Sequence, residues 1–258
     1  MSSRFTLFVD PILLALVFVA FLCPLASAAF ARYPSTESVS VAVSMGLNVS
    51  SAKEFVEYVN RSLASLIASG SVSFAVELYS LRSVVERSLP LVGIVYAIVG
   101  GYIAALLSEN VVGILMFSRP TSVRKVVASL ALFVAMLCLA SSALSSFVLV
   151  RYLVPYATPT YETLFVELVW VNLFSATMFF ALTSFVTALL CGKAFGGVAL
   201  SIVLAIVIPL TYGTIYAYLQ LPLVSTNLRE LNIFELLSLA PLALLVAMIV
   251  RGWEVVKK

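Results

Sequence analysis

The feature that most constrains this chain is a succession of apolar runs, at about 5–31, 89–107, 126–150, 163–190, 194–219 and 234–250. Each is near the roughly 20 residues that an α-helix needs to cross a bilayer. A closed barrel would instead show segments of about ten residues with alternating polarity. In lipid, backbone polar groups must be satisfied internally, so helices are the one spanning form that fits these runs. Of the 258 residues, 62% are hydrophobic and 10% charged, against about 45–50% and about 25% in soluble domains. A water-soluble fold of this size lacks the polar residues to cover such a surface. The predicted fold is therefore all-α: a polytopic membrane protein with six transmembrane helices.

The segment 32–88, between the first two runs, differs from the rest. It holds Glu37, Glu54, Glu57, Glu77 and Glu86. Ser51-Ala52-Lys53-Glu54 has the pattern of a capping box. Phe55, Val59, Leu63, Leu66 and Ile67 then recur at helical spacing, as do Phe74, Leu78, Leu81 and Val85 after Gly70. These patterns predict a small, mostly helical extracytoplasmic domain. The alternation Val39, Val41, Val43, Met45 also fits a short strand. The chain thus divides into a first helix at 1–31, the domain at 32–88, and helices two to six at 89–258. The first run has features of a signal peptide in Arg4 and Ala26-Ser27-Ala28. It is longer than the apolar centre of such a peptide, which favours a retained helix.

Lys and Arg in short connections set orientation. One side holds Arg4, Arg119, Arg124, Lys125, Lys193, Arg251, Lys257 and Lys258. The other holds Arg151 and Arg229 in its short loops, with five basic residues in 32–88. Both termini are expected in the cytoplasm of a cell-membrane protein. The net charge of +3 is scattered, so no nucleic-acid surface is expected. Histidine is absent, which excludes imidazole bases and ligands. Cys23, Cys138 and Cys191 have neither zinc-site nor disulfide-framework spacing and read as small packing residues. No metal, cofactor or catalytic set is expected.

Within the membrane, Gly93, Ala97 and Gly101 recur four apart, a spacing that lets helix backbones approach. Pro209 predicts a kink in the fifth span. Ser141, Ser142, Ser145 and Ser146 of the third span read as packing residues. In the fourth, Asn172, Ser175, Phe179, Thr183 and Thr187 share a face. Such a stripe either lines a translocation path between two subunits or makes interhelical hydrogen bonds. Asp10 and Glu167 lie near predicted span ends, where carboxylates reach the headgroups.

The most informative segment joins the second and third spans. It reads Ser108-Glu109-Asn110-Val111-Val112-Gly113-Ile114-Leu115-Met116-Phe117-Ser118-Arg119-Pro120-Thr121-Ser122-Val123-Arg124-Lys125. An acidic residue opens it, Val112, Leu115 and Met116 make an apolar helical face, and Pro120 ends the helix. As a basic amphipathic loop it also fits an ordinary membrane-surface segment.

This segment resembles the first cytoplasmic loop of ABC transporter permeases of the type-2 export class. The resemblance rests on Glu109 four residues before Gly113, the apolar pair Leu115 and Met116, and the turn Arg119, Pro120, Ser122, Arg124. It implies a coupling helix at 108–125 that seats in a cleft of a cytoplasmic ABC ATPase. It also implies a second permease subunit, identical or different, and a stretch before the last helix that dips back at the outer face, here 221–234. The family's frequent Lys in the third span has no counterpart at Leu130. The sequence has no G-x-x-x-x-G-K-[ST] loop, so ATP hydrolysis would fall to a separate subunit and the chain itself is not expected to be an enzyme. Three other readings of the sequence are an ion-coupled transporter or channel, a polytopic membrane enzyme, and a membrane scaffold acting through 32–88. For the enzyme no catalytic constellation is found.

Overall fold

The computed structural model describes residues 11, 12, 14–16, 18, 19, 21, 22, 26, 74–108, 123–153, 159–219, 221–225 and 231–251. They form helices α1 (Phe74–Ser108), α2 (Val123–Leu153), α3 (Pro159–Cys191), α4 (Ala194–Leu219) and α5 (Ile233–Arg251). The residues described between 11 and 26 are also helical. There is no strand among the described residues. The expected strand at 39–45, the helix after Ser51 and most of the first span lie outside them, as does the loop 109–122.

All five helices are long and apolar enough to cross a membrane. The chain is a multi-pass α-helical membrane protein. The predicted bounds of α4 match the structure, and those of α2, α3 and α5 fall within four residues of it at each end. α1 differs from expectation. It begins at Phe74 and runs unbroken through the boundary placed at residue 88. Its apolar window opens at Val84. Pro90 sits inside it without ending it. A proline at that position forfeits one intrahelical bond, and the buried neighbours Leu89 and Val92 hold the helix by packing instead.

α3 is the central post. It packs against α1, α2, α4 and α5, and 78% of its apolar window is buried inside the protein. The corresponding share is 22% for α4 and 28% for α5, so their outer faces meet lipid. Leu132, Met136, Leu144 and Phe147 give α2 a similar exposed apolar face.

Small residues make the tight packing possible, though the critical one is shifted from the predicted triplet. Ala97 is fully buried, and Gly93 lies against Phe180 and Ala205. The close backbone approach is at Gly100, where a Cβ would collide with the Ala181 carbonyl of α3. Gly197 of α4 meets the Ser184 carbonyl in the same way. Hydroxyls then link neighbouring helices. Tyr96 of α1 bonds Ser141 of α2, and Ser145 of α2 donates to the Phe21 carbonyl at 3.3 Å. Ser142 and Ser146, both buried, bond back to carbonyls of their own helix.

The helices are also registered in depth. The turn at Gly192, with φ of 66°, and Lys193 joins α3 to α4. Arg124, Lys125 and Arg251 lie at the helix ends on this same edge. Counting back about 20 residues, or ~30 Å of helix, from this basic edge brings α3 to Asn172. Glu162 and Glu167 lie beyond that level, and Arg151 of α2 bonds Glu162 at 3.1 Å there. α3 is therefore longer than the bilayer requires, and its surplus stands on the opposite edge.

Candidate functional site

At the Asn172 level the chain leaves helical form. Residues 221–225 connect towards α5 as non-helical backbone. Unpaired peptide groups at this depth are tolerated only where protein covers them. Leu223, Val224 and Ser225 are buried, and the Ile233 amide donates to the Pro222 carbonyl at 3.0 Å.

Asn172 pairs both the amide and the carbonyl of Ser225. Its Nδ2 donates to the Leu168 carbonyl at 2.8 Å and to the Ser225 carbonyl at 3.0 Å. Its Oδ1 accepts from the Ser225 amide at 2.8 Å and from Asn232 Nδ2 at 3.1 Å. Both donors and both acceptor positions of this amide are in use. Asn232 Nδ2 also donates to Ser175 Oγ at 2.9 Å, and Ser175 donates to the Asn172 carbonyl at 3.0 Å.

Asn232 is the N-cap of α5. Its Oδ1 accepts from the Glu235 amide at 2.9 Å, and a Glu235 carboxylate oxygen accepts from the Asn232 amide at 3.3 Å. This reciprocal pair is a capping box. Asn172, Ser175, Ser225, Asn232 and Glu235 thus tie the post helix, the returning segment and the start of the last helix into one unit.

Of the predicted stripe, Asn172 and Ser175 enter this network. Phe179 belongs to an aromatic cluster, 5.0 Å from Phe180 and 5.9 Å from Phe234 between ring centroids. Thr183 Oγ1 is buried and has no hydrogen-bond partner among the described residues. Thr187 is half-buried. The four inner members face the protein's own core. Ser225, Asn232 and Glu235 were not predicted. Asn232-Ile233-Phe234-Glu235 does carry a capping signature in the sequence, whereas nothing marks Ser225. Of the residues expected to contact an ATPase, Arg124 is exposed at the start of α2. Glu109, Gly113, Leu115, Met116, Arg119, Pro120 and Ser122 lie outside the described residues.

Beside the network, α3 and α5 enclose a cleft of 250 Å³. Trp170, Phe174 and Met178 line it from α3, and Glu235 and Ser238 from α5. The rings of Trp170 and Phe174 lie 6.2 Å apart, tilted by 32°. No group of three or more metal-ligating side chains occurs among the described residues. Comparisons with protein-family models, with curated proteins and with solved structures give no match.

Proposed function

We propose that this protein is the membrane-spanning permease subunit of an ATP-driven ABC exporter, with the ATPase on a separate polypeptide. The observation that carries this proposal is the ordered series Glu109, Gly113, Leu115, Met116, Arg119, Pro120, Ser122, Arg124. Ser108 and Val123, which flank it, end α1 and begin α2 on the basic edge. A cytoplasmic basic edge follows from the bias of Lys and Arg. With the first apolar run as a sixth span, both termini are cytoplasmic and 32–88 opens outward. The segment 221–225, returning before the last helix, corresponds to the dip expected of such permeases. A second permease subunit completes the pathway, and nucleotide-driven closure of the ATPase biases inward- and outward-facing forms.

Purification from native membranes in mild detergent, followed by identification of co-purifying proteins, tests this function. A stoichiometric ATPase that is lost on Glu109→Ala with Arg124→Ala is the expected result. Recovery without an ATPase after gentle crosslinking overturns it.

One observation favours an ion-coupled transporter instead. Glu235 is a carboxylate in the first turn of an apolar span, and ionisable groups within such spans often mark ion pathways. Gradient-driven uptake into liposomes holding only this protein, abolished by Glu235→Gln, decides for that alternative.

A further inference from the structure

The cleft between α3 and α5 has an unusual mixture of walls. Trp170, Phe174 and Met178 present apolar and π surface, and Glu235 presents one carboxylate. No basic side chain among the described residues lines it. Among the described residues the Glu235 side chain bonds only Asn232, at 3.3 and 3.5 Å. Both are bonds of a carboxylate to neutral N–H groups, so its charge is not neutralised by them. The helix N-terminus that it caps favours this negative charge, and a cation in the cleft would answer it directly. The two aromatic rings of the lining offer further attraction for the same kind of charge, because ring faces favour cations, and weakly hydrated ammonium groups in particular.

Size and depth narrow the ligand further. The 250 Å³ volume lies below the roughly 300 Å³ at which pockets for drug-sized molecules begin. It accommodates a headgroup and the first part of an attached chain. Trp170 is two residues from Asn172, at the level where the hydrocarbon core ends. Met178 lies about two turns deeper than Trp170, ~12 Å along α3. A head at Glu235 and Trp170 therefore places an attached chain along Phe174 and Met178, parallel to the lipid tails.

From this arrangement we infer that the cleft binds the ammonium head of an amphiphile, with Glu235 and the Trp170 and Phe174 faces around the cation and the alkyl chain along Met178. The site does not depend on whether an ATPase partners the chain. The ammonium is supplied either by a free cationic amphiphile or by the headgroup of a zwitterionic phospholipid.

The chain has two tryptophans, so Trp253→Phe leaves Trp170 as the only indole reporter. Titrations in dodecyl maltoside, whose head is uncharged, would use one ten-carbon tail with four heads: trimethylammonium, phosphocholine, hydroxyl and sulfate. The expected result is a saturable change in Trp170 emission with decyltrimethylammonium, at least ten-fold tighter than with decanol and absent with decyl sulfate. Glu235→Gln should remove that ten-fold preference. Gln retains the capping-box acceptor for Asn232, so the variant should fold, which circular dichroism checks. Decylphosphocholine binding as tightly as the cation assigns the cleft to phospholipid headgroups. Binding of the cation alone assigns it to a free amphiphile. Equal affinity for decanol and the cation, or an undiminished preference in folded Glu235→Gln, overturns the inference.

Discussion

Asn172 of α3 and Asn232, the cap of α5, share a hydrogen bond of 3.1 Å across 60 residues of sequence. Through that bond the only returning non-helical segment among the described residues is fixed to the central helix. The carboxamide of Asn172 matches the peptide group of Ser225, giving one bond and taking one. A hydroxyl cannot do both at this reach, and an aliphatic side chain can do neither.

Replacing Asn172 with Leu should therefore be among the most damaging polar-to-apolar changes in the bundle. It removes the Asn172 partner of the Ser225 amide and carbonyl and of one donor of Asn232, at about 1–3 kcal/mol for each buried group left unsatisfied. Partial re-pairing brings the expected loss to about 2–4 kcal/mol, because interhelical hydrogen bonds in membranes average only ~0.6 kcal/mol. Thr187→Val, on the same stripe but half-buried, should cost under about 0.5 kcal/mol. Denaturant unfolding in detergent, followed by circular dichroism, compares the two. Equal midpoints would refute the assigned role of Asn172.

The bond itself is measurable by a cycle of Asn172→Ala, Asn232→Ala and the double variant. The two residues share partners, so their effects should not add. A coupling of about 0.6–1.7 kcal/mol is expected, the range found for such bonds in membrane proteins. Additivity within about 0.3 kcal/mol would mean that the two amides act independently.

Three neighbouring kinds of glycine separate close approach from mere smallness. Gly100→Ala and Gly197→Ala each place a Cβ against a facing carbonyl oxygen, and helix backbones do not yield locally. Overpacking of this kind costs about 1–3 kcal/mol, of which the better helix propensity of Ala returns up to about 1 kcal/mol. Gly196 meets only Cys191, at 3.5 Å, an ordinary contact, so Gly196→Ala should be neutral or stabilising. Gly192 has open space but a φ of 66°, and Gly192→Ala should cost about 1 kcal/mol through backbone strain alone. The order Gly196, Gly192, then Gly100 and Gly197, in falling midpoint, is the checkable outcome.

Much of this architecture is legible in the sequence, because lipid makes a single demand on each span. The bounds of α4 follow from Gly192-Lys193 on one side and Pro222 on the other, and α3 and α5 are off by a few residues at most. The sequence places a boundary at residue 88, just after charged Glu86 and Arg87, whereas α1 runs through it from Phe74 to Ser108. The predicted stripe located Asn172 and Ser175 but not their partners. Their pairing with Ser225 and Asn232 depends on a chain reversal that no helical period encodes. Likewise the Gly93 triplet is visible as a pattern, but which glycine touches a backbone is set by the crossing of α1 and α3, a tertiary property.

Orientation is testable with the chain's own thiols. Cys191 is exposed beside the Gly192 turn on the basic edge, and Cys138 is buried between α2 and α3 beside Thr177. In a Cys23→Ser background, a membrane-impermeant maleimide should label Cys191 in inverted vesicles and leave it unlabelled in intact cells. Cys138 should stay unlabelled in both until the protein is unfolded. Labelling of Cys191 from outside would invert the topology and remove the proposed coupling segment from the cytoplasm.

The ion pair that links α2 to α3 on the opposite edge should matter far less than its geometry suggests. Arg151 Nη1 contacts both oxygens of Glu162 at 3.1 Å, yet the Arg151 side chain is 64% exposed. Water and salt screen such a pair, and ordering two long side chains offsets much of the attraction, leaving about 0–1 kcal/mol. Arg151→Ala and Glu162→Ala should each shift the unfolding midpoint slightly, and raising salt should shrink the difference from wild type. A loss as large as that of Asn172→Leu, or one that persists at high salt, would show that the pair is sheltered in the assembled protein. That outcome would point to a covering partner on this edge. The expected contrast is a strong effect from the neutral, fully paired Asn172 and a weak one from the exposed charges, because burial and not formal charge sets what each interaction contributes.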